Sequence, residues 1–164
     1  MTRKLKILFL CRVAKGRHGV QTQWEYFFRR FSQDEHIPFC LLSRECFLAD
    51  TLRALAIPFK ILPWRFASRG WRLSVWVGRA INAIAFYRIS RFAQQFDPDI
   101  IEGDINDYPL LQLLSRKTGA AIICRVRGKD VFTRNLSDNQ FVTKFIPISH
   151  RLSMPLLKAG IPES

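Results

Sequence analysis

Apolar residues in this chain come in short unbroken runs. Six stand out: Lys6–Cys11, Pro38–Leu42, Pro58–Leu62, Ile100–Glu102, Ala120–Val126 and Phe145–Ser149. Most are continuously apolar rather than alternating, which is how a strand covered on both faces reads. The segments between them follow a helical period. Val20, Trp24, Phe27, Phe28 and Phe31 fall on one stripe of a first helix. A second helix is expected over Glu45–Ala56. A long third one should run from Trp71 to Phe96, stopped by Pro98. A fourth, Tyr108–Lys117, should end at Gly119, and a last one, His150–Ala159, at Gly160. The stretch Asp130–Asn139 fits a short helix or a loop. Strands alternating with helices this regularly predict an α/β fold, a doubly wound parallel sheet of about six strands with helices on both faces.

The chain has 164 residues, enough for one domain and short for two. At that size a folded domain buries roughly 70% of its unfolded surface, so a self-sufficient core is feasible. The expectation is a single domain over residues 1–164. No run approaches 18 uncharged apolar residues, so no membrane-spanning helix is expected. The basic-then-apolar opening is broken at Cys11-Arg12, too early for a signal peptide, and reads as a first strand.

Charge changes the picture more than size does. The net charge is +13, which asks for an anionic partner. Thr51–Phe96 contains eight basic residues and no acidic one. The acids return at Asp97, Asp99, Glu102, Asp104 and Asp107. Within the long third helix Arg72, Arg79, Arg88 and Arg91 lie among aromatics, as at a membrane interface or polyanion surface. Projected at 100° per residue they do not gather on one face, so this is not a clean amphipathic membrane helix. A core helix with snorkelling arginines is the plainer reading. The cysteines Cys11, Cys40, Cys46 and Cys124 show no C-x-x-C spacing, which argues against a zinc or redox site. Buried, reduced thiols fit a cytoplasmic protein.

In doubly wound sheets, ligands bind beyond the carboxyl ends of the strands. That rule selects Arg12 to Gly19 after the first strand, Ser43-Arg44 after the second, and Pro63-Trp64-Arg65 after the third. It selects Gly103 to Asp107 after the fourth, Arg127-Gly128-Lys129-Asp130 after the fifth, and Ser149-His150 after the sixth. The first loop, Gly16-x-x-Gly19 before a helix, can turn backbone N–H groups toward an anion. It matches neither G-x-G-x-x-G nor a P-loop. Gly19 also serves a tight turn. His18 is a base or a polar loop residue. Asp104, Asn106 and Asp107 are site carboxylates and amides or helix caps. Arg127 and Lys129 contact phosphate or sugar, or form a solvated turn.

These positions carry a resemblance. The opening Lys4-Leu-Lys-Ile-Leu-Phe-Leu10, His18-Gly-Val-Gln-Thr22, Leu55-Ala-Ile-Pro-Phe-Lys-Ile-Leu-Pro63, Phe96-Asp-Pro-Asp-Ile-Ile-Glu102, Val126-Arg-Gly-Lys-Asp130, Phe145-Ile-Pro-Ile-Ser149 and Leu156-Leu-Lys-Ala-Gly-Ile-Pro162 follow one another in the order and spacing of a family. The chain resembles the N-terminal, acceptor-side domain of family 4 glycosyltransferases, one Rossmann-like lobe of the two-lobed GT-B fold. The resemblance implies retaining transfer of a sugar from a nucleotide-sugar donor to a saccharide or lipid-linked acceptor in a cleft between lobes, as in polysaccharide biosynthesis. It implies no cofactor beyond the nucleotide sugar, which is a co-substrate, and no metal. Gly19 matches the first-loop glycine beside the sugar nucleotide, and Gly128 the glycine after strand five. Donor and acceptor contacts are then expected from Gly19, Val20, Gln21, Asp104, Asn106, Arg127, Gly128, Lys129, Asp130 and Ser149. Asp104 and His18 are the catalytic candidates.

Two positions depart from the family. His18 stands where it has the first glycine of a Gly-Gly pair. Arg127 stands where it often has histidine, and arginine does not act as a base. The donor-binding C-terminal lobe is not in this sequence, so it must act in cis or in trans, and the isolated chain is expected to be inactive. Many such transferases draw acceptors from the cytoplasmic leaflet, which would suit a peripheral protein with Thr51–Phe96 at an anionic membrane. Two other readings stand: a non-enzymatic module binding an anionic membrane or nucleic acid, the latter not expected, and an unrelated small Rossmann-like enzyme.

Overall fold

The computed structural model describes residues 3–12, 19–31, 33–64, 72–126 and 144–147. Its strands are β1 (Leu5–Cys11), β2 (His36–Leu42), β3 (Phe59–Ile61), β4 (Ile100–Asp104), β5 (Ala121–Val126) and β6 (Lys144–Pro147). Its helices are α1 (Gly19–Arg30), α2 (Phe47–Ala54), α3 (Arg72–Phe96) and α4 (Tyr108–Thr118), with a 3-10 turn at Ile105–Asp107. The six strands form one sheet in the order β3-β2-β1-β4-β5-β6, and every pairing is parallel. The chain moves outward from β1 through β2 to β3, then crosses back to place β4 on the other side of β1. This is the doubly wound α/β architecture expected from the sequence.

The unbroken apolar runs follow from burial on both faces. Successive side chains of a strand point to opposite sides. On β1, Ile7, Phe9 and Cys11 join a core formed with Trp24 and Phe28 of α1 and Leu48, Ala49 and Leu52 of α2. Leu8 and Leu10 join the opposite core, with Ala85, Ile89 and Ala93 of α3 and Leu110, Leu111 and Leu114 of α4. Phe9 anchors the first layer, its ring 5.1–5.9 Å from those of Trp24, Phe27, Phe28 and Phe31. Edge-on aromatic packing of this kind adds about 0.5–1.5 kcal/mol per pair beyond burial. Cys11, Cys40 and Cys124 are buried free thiols.

Element ends obey local chemistry. α3 stops at Phe96, where Asp97 turns to φ 53° ahead of Pro98. α4 stops at Gly119, whose φ of 76° suits glycine and lets its N–H reach the Ser115 carbonyl at 2.7 Å. One expected boundary is corrected with a consequence for the site. β4 does not end at Glu102 but continues through Gly103 and Asp104. Gly103 stays in the ladder because α4 lies against it: a Cβ there would sit 2.9 Å from a Leu111 methyl and 3.4 Å from the Leu10 Cβ. β6 is described over Lys144–Pro147, starting one residue before the expected Phe145, while Ser149 lies outside the described residues; α2 is shorter than expected, Phe47–Ala54. The Asp130–Asn139 stretch, read as a short helix or a loop, and the expected His150–Ala159 helix lie outside the described residues.

Candidate functional site

β1 and β4 are neighbours, and the chain leaves them toward opposite faces of the sheet. That makes the β1/β4 carboxyl edge the topological switch point, where such sheets open a crevice. On one side β1 ends at Cys11-Arg12 and α1 begins at Gly19. Gly19, Val20 and Gln21 therefore form the first turn of α1, an end where backbone N–H groups and the helix dipole favour an anion. On the other side β4 ends at Asp104, and the chain tightens into Ile105–Asp107 before α4.

Asp104 caps that turn. Its Oδ1 accepts from the Asn106 backbone N–H at 2.9 Å and from Asn106 Nδ2 at 2.8 Å. The carboxylate and the amide are thus locked together at the strand end, Asp104 buried and Asn106 half-buried. The sequence offered Asp104 as a site carboxylate or a cap, and the structure makes it a cap that stands at the switch point.

Asp107 has a different job. It is 4% exposed, and its Oδ1 accepts from the Trp64 indole N–H at 3.2 Å and lies 3.9 Å from an Arg12 guanidinium nitrogen. One buried carboxylate therefore brackets the exits of β1, β3 and β4. Sequence reasoning singled out Arg12, Trp64 and Asp107 as strand-end residues but did not link them. Trp64 and Asp107 are 43 positions apart, and no spacing rule joins them. Ser43, at the exit of β2, is also buried, and its N–H donates to the Cys11 carbonyl at 3.3 Å. Beneath the rim, burial pushes the Cys124 thiol far up, and the charges of Asp104 and Asp107 push the same way.

A second unforeseen pair lies deeper. Glu102 of β4 and Arg125 of β5 form a buried ion pair. The Arg125 guanidinium sits 4.1 Å over the Trp24 ring and 4.5 Å over that of Phe27. The pair fastens β4 and β5 to α1, and so fixes the height of the α1 N-terminus against the Asp104 turn.

His18, Arg127, Gly128, Lys129, Asp130 and Ser149 lie outside the described residues. Val126, the last described residue of β5, ends beside the same edge. Among the described residues no cluster of three or more His, Cys, Asp or Glu could hold a metal ion. No described helix is long and apolar enough to cross a membrane.

No protein-family model matches the chain, and no curated protein matches it. Solved structures do. One is Anabaena Alr3699/HepE in complex with UDP and glucose, at a TM-score of 0.63 and 15% identity, covering 95% of this chain and 41% of that one. Another is the glycotransferase of kitacinnamycin, at a TM-score of 0.51 and 13% identity, covering 98% of this chain and 42% of that one. The chain spans about two-fifths of the length of each. What it shares with them is the fold: a parallel α/β lobe.

Proposed function

We propose that this chain is the acceptor-side lobe of a retaining, family 4-type glycosyltransferase of GT-B architecture. It would work with a donor-binding lobe supplied in cis or in trans. The observation that carries the reading is the switch point itself. The first turn of α1 and the Asp104–Asn106 pair follow the carboxyl ends of the neighbouring strands β1 and β4, in a fold shared with a protein solved with UDP and glucose.

In such a transfer an acceptor hydroxyl forms a bond to the anomeric carbon of the donor sugar. The bond from that carbon to the nucleotide diphosphate breaks, the diphosphate leaves with the electron pair, and the hydroxyl proton passes to a phosphate oxygen of that leaving group. Most of the barrier is developing negative charge, which cations and helix N-termini stabilise. The α1 N-terminus supplies one such field. Arg127 and Lys129 would add cations beside β5. Asp104 and Asn106 offer a carboxylate and an amide to a hydroxyl-rich acceptor. The acceptor is a saccharide or a lipid-linked sugar, the latter presented at a cytoplasmic membrane face. No cofactor is needed besides the nucleotide sugar.

The test is a transfer assay on the chain with and without its donor lobe, against a panel of nucleotide sugars. Turnover should need both lobes. Asp104→Asn keeps the turn cap, since asparagine caps as well as aspartate, yet removes the charge. It should lower kcat/KM by about ten-fold, roughly 1.4 kcal/mol of transition-state stabilisation, with an unchanged melting midpoint. Sugar transfer by the chain alone, or an unaffected Asp104→Asn enzyme, would overturn the reading.

A further inference from the structure

The outward face of α3 combines groups that a folded protein has no internal use for. Ile84, Tyr87, Arg88 and Arg91 sit at steps of three, one and three, so they share one side of the helix. The opposite side is core: Ala85, Ile89 and Ala93 are buried. Ile84 is 57% exposed and Tyr87 60%, among the most exposed large apolar side chains described. Beside Ile84 runs a groove of about 220 Å³ lined by Leu62, Pro63, Ile84, Ala85 and Arg88. That volume is below the roughly 300–1,000 Å³ of pockets that enclose a whole small ligand, so the groove suits one end of something larger.

The arginines of this face differ from three exposed arginines elsewhere that are held in ion pairs. Arg3 lies 2.7 Å from Asp99, Arg29 3.0 Å from Glu25, and Arg53 2.6 Å from Asp50. Arg88 and Arg91 have no ion pair among the described residues. No carboxylate could reach them from their own helix, because α3 contains none. Lys60, exposed on β3, adds a further cation beside Phe92 of α3.

We propose that this face docks on an anionic phospholipid surface. Ile84 and Tyr87 enter the boundary between headgroups and acyl chains, the groove takes a lipid chain end, and Arg88 and Arg91 meet phosphates. An aliphatic side chain flanked by tyrosine and unpaired arginines is what that boundary selects. A polynucleotide would leave Ile84 against a charged backbone. A second copy would set two unpaired arginine clusters face to face in a chain of net charge +13. The face lies at the β3 exit, where Trp64 reaches into the Asp107 bracket. A lipid-borne acceptor held here would therefore lie beside the switch point. That last step rests on the transferase reading; the docking does not.

The test is co-sedimentation of the chain with phosphatidylglycerol–phosphatidylcholine vesicles and with phosphatidylcholine alone. Binding should require the anionic lipid. Arg88→Gln and Arg91→Gln should each weaken it about five-fold. Ile84→Asp should weaken it about ten-fold with every cation in place. Lys117→Gln on α4 should change nothing. Tyr87→Trp gives a direct reporter, and its emission should shift to the blue on vesicles. Wild-type binding by Ile84→Asp, an equal loss in Lys117→Gln, or retention of duplex DNA with no vesicle binding would each overturn the proposal. The readout involves no sugar transfer. Lost transfer with intact lipid binding would therefore refute the transferase reading alone.

Discussion

Two arginines, each among aromatic and aliphatic neighbours, mark opposite regimes of this molecule. Arg125 is folded into the sheet, paired with Glu102 and roofed by Trp24 and Phe27. Arg88 stands on the outer side of α3 beside Ile84 and an open groove, with no carboxylate partner among the described residues. Composition treats them alike, as arginine near aromatics in a basic chain. Packing does not. The inner one is part of how β4, β5 and α1 are held in register. The outer one has no ion pair among the described residues to tie it to the fold. Charge that is internally spent informs about architecture, and charge left over informs about partners.

The sharpest way to break this contrast is to remove both side chains and compare stabilities. Arg125→Ala removes the buried ion-pair partner of Glu102 and should cost about 3–5 kcal/mol, read as a lower urea midpoint. Glu102→Leu combined with Arg125→Met should recover much of that loss, since it removes both charges of the pair together. Equal midpoints for Arg125→Ala and the parent would show that the pair holds nothing.

A second measurement tests how dry that interior is. Burial pushes the Cys40 thiol well above its ordinary value of 9.0, with smaller contributions from Cys11 and from the charge of Glu102. Cys124 is raised the same way. A folded thiol with a raised pKa keeps its proton where the unfolded chain releases it. Stability from these groups is therefore complete below pH 9 and falls as pH rises past it. The slope should approach 1.4 kcal/mol per pH unit per thiol, about 2.7 for both. The difference between the parent and a Cys40→Ala, Cys124→Ala variant isolates this contribution. A difference that stays constant from pH 7 to about pH 10 would contradict a water-free core.

The smallest effect belongs to the outer arginine. Arg88→Ala should alter the urea midpoint by no more than about 0.5 kcal/mol equivalent. A larger loss would mean that Arg88 has a structural task after all.

Much of the fold was legible because parallel strands leave a plain signature. Runs such as Ile7–Cys11 are apolar at every position because α1 and α2 cover one face and α3 and α4 the other. The end of β4 was misread because Gly103 and Asp104 look like loop residues. Only the close approach of Leu111 explains a glycine inside the strand. Asp104 and Asn106 were visible as a strand-end pair. The Arg12–Asp107–Trp64 bracket and the Glu102–Arg125 pair were not, since each depends on strand order and register rather than on spacing. Projecting all four arginines of α3 scattered them around the helix. Within that scatter Arg88 and Arg91 share one exposed side with Ile84 and Tyr87, while the side chains of Arg72 and Arg79 lie outside the described ones.

The switch point also imposes a schedule. β1 is joined to the chain's later half by the Lys6 N–H on the Asp99 carboxylate at 2.8 Å, the Asp99 N–H on the Lys6 carbonyl at 2.9 Å, and the Lys6 ammonium on the Phe96 carbonyl at 3.2 Å. These contacts span 90 to 93 residues of sequence. At a synthesis rate of about 5–20 residues per second, β1 waits roughly 5–20 s for its second neighbour. Until β4 emerges, β1 has β2 on one flank and an open edge on the other, at the strand that becomes the centre of the sheet. The same crossover that opens a crevice in the finished protein is a vulnerable interval in its birth.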